Sequence, residues 1–99
     1  MYVSIRRYEN VPDLTGLLRD IELEFAPLLH KMPGFMAYYA VDSGAGSMAT
    51  VTVFSTAAMA EESNAVAADW LASRGGAHPL MHVQITAGRM AIAVPPIRG

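Results

Sequence analysis

Arg6, Tyr38, Tyr39, Trp70 and His82 are the side chains of this chain with the most chemistry to offer. A tyrosine hydroxyl can donate to a substrate oxygen, a histidine can act as a base near neutral pH, and an arginine can hold an anion. Tyr38 and Tyr39 are neighbours in an extended segment, so one of them faces each side of a sheet. Whichever enters a pocket is a candidate donor; a half-buried tyrosine with a satisfied hydroxyl is the plain alternative. His82 is a candidate general base, or a hydrogen-bonding group across a subunit interface. Arg6 either binds an anionic ligand or pairs with an acidic group of a second subunit. Trp70 recurs at helical spacing with Met59, Ser63 and Val66, which suits a pocket wall or simple core.

Other chemistries are absent from the pattern. The chain has no cysteine, which excludes disulfides, thiolate catalysis and thiolate metal sites. His30, His78 and His82 are its only histidines, and Pro79 separates the last two, so no helical metal motif forms and no metal site is expected. Gly44-Ala45-Gly46 reads as a turn, not a phosphate loop. Seven scattered Lys and Arg residues and a net charge of −2 argue against nucleic acid as a partner. No apolar run reaches membrane length, and residues 1–7 lack a secretion pattern, so a cytoplasmic protein is expected.

These side chains need a scaffold, and 99 residues supply one domain. Tyr2 to Tyr8 alternates as a half-buried strand. A helix opens at Pro12-Asp13, with Asp13 as cap, and places Leu14, Leu17, Leu18, Ile21, Phe25 and Leu28 on one face. Pro27 lies inside that pattern and predicts a kink or a break. Pro33-Gly34 ends the helix. Phe35–Val41 and Ser47–Phe54 form a hairpin around Asp42–Gly46. Ser55-Thr56 caps a second helix from about Ala57 to Ser73, whose many alanines give it a slim profile. Leu80–Thr86 is the fourth strand, bent near Gly88, and Met90–Val94 can add a short fifth. Residues 95–99 form a tail. The order is βαββαβ, an α+β, ferredoxin-like arrangement with an antiparallel four-stranded sheet.

The alternation divides the sheet into two faces. Val3, Ile5, Val51, Val53, Val83 and Ile85 are expected under the helices. Ser4, Arg6, Tyr8, Thr50, Thr52, His82, Gln84 and Thr86 are expected on the other side, where an identical sheet would cover them. Two helices cover one face of such a sheet, and apolar residues make up 53% of the chain against 16% charged. That composition favours a homodimer.

With the hairpin, Pro33-Gly34-Phe35, Val53-Phe54 and Trp70 in view, residues 1–94 resemble the dimeric α+β barrel superfamily. The antibiotic-biosynthesis-monooxygenase-like group is the most similar, and residues 61–71 resemble a run in small bacterial members of it. The resemblance implies sheet-to-sheet homodimers and an apolar cavity between helices and sheet. It also implies cofactor-independent oxygenation of aromatic or polyketide-like substrates, with no cofactor. On that footing Trp70, Tyr38 and His82 are candidate catalytic residues. Tyr39, Arg6, Asn64 and Phe25 are candidate ligand contacts. Some members place Asn and Trp four apart on the second helix; here Asn64 and Trp70 stand six apart, about 240° around the axis, and do not share a face. A non-catalytic ligand-binding module is the second reading.

Overall fold

Tyr2–Tyr8 alternates in sequence and forms strand β1. The computed structural model describes residues 1–73 and 82–96, apart from the side chains of residues 82 and 83. After β1 come α1 (Leu14–Asp20), a π-helical turn (Ile21–Phe25), α2 (Ala26–His30), β2 (Phe35–Gly44), β3 (Ser47–Phe54), α3 (Ala57–Ser73) and β4 (His82–Arg89). The strands form one antiparallel sheet in the order β2-β3-β1-β4. This is a small α+β architecture consistent with a ferredoxin-like fold.

Local chemistry explains the element boundaries. The Asp13 side chain accepts from the Gly16 amide at 3.2 Å and opens α1. Thr56 does the same for the Met59 amide at 3.2 Å and opens α3. Gly34 has φ +78, and a Cβ there would collide with the Ser55 hydroxyl. Its carbonyl accepts from the Ser55 amide at 2.8 Å, which ties the α2–β2 turn to the end of β3.

The first helix meets Pro27 as expected, and its response is specific. Proline lacks an amide hydrogen and crowds the carbonyl four residues back, here that of Leu23. The helix widens just before it: the Ala26 amide reaches back to the carbonyl of Ile21, a π-type bond. That wider turn keeps Ile21, Phe25 and Leu29, spaced by four, on one buried side.

The hairpin is tighter than the turn-rich stretch at Asp42–Gly46 suggests. Only Ala45 and Gly46 form its loop, with φ 53 and 77, as a two-residue type I′ connection requires. Strand β2 therefore runs on to Gly44, and Asp42 stabilises the approach by accepting from the Gly44 amide at 2.9 Å. At the other end of the chain, residues 90–96 form no strand. One bond, from the Met90 amide to the Met1 carbonyl at 2.9 Å, extends the ladder. The expected start of the fourth strand at Leu80 lies outside the described residues.

On β1 and β3 the two faces of the sheet are assigned the opposite way from the expectation, whereas Ile85, Gln84 and Thr86 of β4 lie on the faces expected of them. Ser4 and Thr50 are buried with Met48 and Phe54, and the last two belong to the same core as Leu17, Ile21, Phe25, Leu29 and Trp70. The polar-looking face thus lies under the helices. The valine and isoleucine face is open over much of its area: Ile5 is 40% exposed, Val41 51% and Tyr39 60%, while Val3 and Val51 are half-buried and Val53 is buried. Side-chain size decides this. Tyr2, Tyr8, Met48, Phe54, Phe35 and Tyr38 reach far enough to fill the space beneath the helices, where valines would leave voids. Strand β4 also has its own register. Ile85 pairs with Arg6, while Gln84 and Thr86 pair with Arg7 and Ile5, which puts Ile85 on the helix side and the other two on the open side.

Candidate functional site

Strand β1 sends Arg6 and Tyr8 toward the helices at alternate positions, and β3 answers across the register with Thr50 and Met48. Tyr38 joins them from β2, opposite Thr52. Above them stand Ile21, Phe25 and Leu29 from the first helical segment and Ser63, Ala67 and Trp70 from α3. Together these groups surround a pocket between helices and sheet. The pocket encloses about 510 Å³, counted out to its open mouth. The α3 side is shaped by Ser63, Ala67 and Trp70 at steps of four and three, which keeps them on one helical face.

The aromatic rings interlock. Phe25 meets Tyr38 edge-on at 5.8 Å between centroids and lies tilted against Trp70 at 5.2 Å. Trp70 Nε1 donates to Glu24 at 3.4 Å, so the indole is held from both sides. Tyr38 faces the helices, and burial pushes its hydroxyl up to about 12; Tyr8 adds to the shift and Arg6 opposes it. Burial raises Tyr8 as well, against the charge of Arg6 and side-chain hydrogen bonds from Arg6 and Thr50. Both phenols are therefore neutral donors at ordinary pH.

Among the described residues, Arg6 is the one ionic group in the lining. Its Nη2 donates to Asn64 Oδ1 on α3. Its Nε is buried with no hydrogen-bond partner. Among the described residues, no aspartate or glutamate lines the pocket. The arrangement can bind a small molecule with an apolar body, and it can place two phenol donors and a guanidinium against an oxygen of that molecule.

The expected site residues divide as follows. Arg6, Phe25, Tyr38 and Trp70 come together in the lining. Asn64 is outside the lining and reaches the site only through Arg6, from the exposed flank of α3 about 120° from Trp70. Tyr39 does not belong. Its side chain is on the open face and borders a shallow groove with His30, Phe35 and Ala37. Strand parity sends it there once Tyr38 turns inward. His82 pairs with Tyr8 along the backbone, past a register irregularity; its side chain lies outside the described residues, as does His78. Among the described residues, no three His, Cys, Asp or Glu side chains gather as a metal site. No helix among them is long and apolar enough to cross a membrane. The sequence pattern did not single out Ser63, Ala67 or Ile21 as site residues; their three-and-four spacing with Trp70 and Phe25 is the signal that could have found them.

No protein-family model and no curated protein matches this chain. Among solved structures it is similar to NE2512, a protein of unknown function from Nitrosomonas europaea. The TM-score is 0.68 at 20% identity, over 93% of this chain and 90% of that one. At that identity the likeness bears on the fold alone.

Proposed function

We propose that the chain is a small-molecule-binding protein related to cofactor-independent monooxygenases, and that its ligand is a compact aromatic molecule held between helices and sheet. One observation carries this reading: aromatic and aliphatic walls enclose a cavity whose floor holds convergent donors, Tyr8, Tyr38 and Arg6. Such a floor stabilises oxygen-centred negative charge, the feature an electron-rich phenol or anthrone needs before it can reduce oxygen directly. The protein acts as a homodimer in this reading. The open sheet face, with Ile5, Tyr39 and Val41 exposed, packs on the same face of a second copy to close a barrel. The reason for expecting a partner has moved from the polar face, which the helices already cover, to the apolar one.

Oxygen uptake with a panel of hydroquinones and anthrones tests the oxygenase part. Uptake above the uncatalysed rate, falling about a hundredfold in Tyr38→Phe, supports it, since that is the usual loss for one oxyanion donor. Equal and negligible rates in wild type, Tyr38→Phe and Trp70→Phe overturn it. A second reading, binding without catalysis, is favoured by the lining itself: its described side chains include no histidine or carboxylate to take a substrate proton. Binding without uptake selects that reading.

A further inference from the structure

Arg6 is a cation in a setting that does not compensate it. It rises from β1, next to the centre of the sheet, and lines the floor of the pocket. Its side-chain contacts are Asn64 and the Tyr8 hydroxyl, both neutral. Its Nε is buried with no acceptor among the described residues, and the described lining holds no acidic side chain. The described ion pair on this strand belongs to its neighbour Arg7, which pairs with Glu9 at 3.3 Å on the exposed side. Holding a half-buried guanidinium without a counter-charge is costly, and leaving its buried Nε without an acceptor adds to that cost.

We propose that the pocket is built for a monoanion, an aromatic or short aliphatic carboxylate, whose head sits on Arg6 and whose apolar body lies against the wall formed by Phe25, Trp70 and Leu29. This rests on the pocket being a ligand site, as proposed above, and adds the charge and orientation of the ligand. One guanidinium balances one negative charge. A phosphate carries nearly two and is normally met by several cations or backbone amides; this lining offers one cation. Arginine also presents paired N–H groups in a plane that matches a carboxylate. The Tyr8 hydroxyl, beside Arg6, donates a further bond to the head group.

Trp70 is the only tryptophan of the chain and lies in the pocket wall, so its fluorescence reports occupancy directly. The experiment titrates the wild-type protein with benzoate, phenylacetate and hexanoate, each against its neutral amide. Arg6→Met and Arg6→Lys are titrated in parallel, with circular dichroism as the check on folding. Carboxylates should bind at least about tenfold more tightly than their amides, the weight of one charge-assisted hydrogen bond. That preference should vanish in Arg6→Met and persist, weakened, in Arg6→Lys. Equal binding of acids and amides by wild type overturns the anion assignment and leaves the ligand pocket standing. A preference that survives in folded Arg6→Met overturns it as well. Absence of binding by both series overturns the pocket reading together with it.

Discussion

Arg6 on β1 and Asn64 on α3 are joined side chain to side chain across 58 residues of sequence, and the bond ties the second long helix to the sheet at the edge of the pocket. The pairing is unequal. Asn64 is exposed at the helix flank, while Arg6 extends beneath the helices. The helix therefore holds the guanidinium in place without neutralising it.

That inequality predicts a specific pattern in stability. Asn64→Ala removes an acceptor from a charged donor and should cost about 1 kcal/mol, the lower end for such bonds because the pair is partly in water. Arg6→Met replaces a half-buried charge that lacks a described counter-ion by an apolar side chain of similar length and should be neutral or stabilising. In the Arg6→Met background, Asn64→Ala should then cost nothing. Urea denaturation of the four proteins completes the double-mutant cycle. Strong destabilisation by Arg6→Met would mean that the arginine serves the fold and not a ligand.

A second prediction concerns alkaline pH. The Tyr38 hydroxyl is raised to about 12 by burial, so the folded protein keeps its proton where the unfolded chain, at about 10, releases it. The folded state then binds more protons than the unfolded one, and stability falls as pH rises. The contribution is intact below pH 10 and is lost progressively as pH climbs from 10 through 12. A shift of this size amounts to about 2 to 3 kcal/mol. Tyr8 acts in the same direction. Unfolding free energies between pH 9 and 11.5 should drop less steeply in Tyr38→Phe than in wild type; identical slopes would show that Tyr38 is not withheld from water.

The order of elements was legible in the sequence because it rests on local chemistry: the alternation of Tyr2–Tyr8, the caps at Asp13 and Thr56, and the stops at Gly34 and Ser55. The orientation of the sheet was not legible. Period-two alternation defines two faces without saying which one turns inward, and hydropathy pointed to Val3, Ile5 and Val51. The large side chains Tyr8, Tyr38, Met48 and Phe54 filled the core instead, carrying Arg6 and Thr50 inward with them. The register of β4, which sets Ile85 beside Arg6, depends on pairing across the sheet and leaves no mark in its own residues. Of the expected site residues, Phe25, Tyr38, Trp70 and Arg6 line one pocket, whereas Tyr39 lies on the open face, because a choice between adjacent strand positions depends on the same undetermined parity.

The open face gives the last prediction. Ile5 and Val51 are direct cross-strand partners there, flanked by Tyr39 and Val41, which are 60% and 51% exposed. An apolar sheet face of this kind gains roughly 25 cal/mol for each Å² it removes from water, and pairing with an identical face covers both at once under a two-fold axis. Wild-type protein should sediment as a dimer. Ile5→Lys puts a charge at the centre of the paired faces, where a second lysine would oppose it, and should shift the protein to monomer. Since Ile5 is already 40% exposed in the single chain, the fold should survive, with Trp70 fluorescence unchanged in its pocket on the other side of the sheet. A wild type that sediments as monomer over the whole concentration range would remove the barrel from the proposed function, and a dimer that tolerates Ile5→Lys would place the interface elsewhere on the surface.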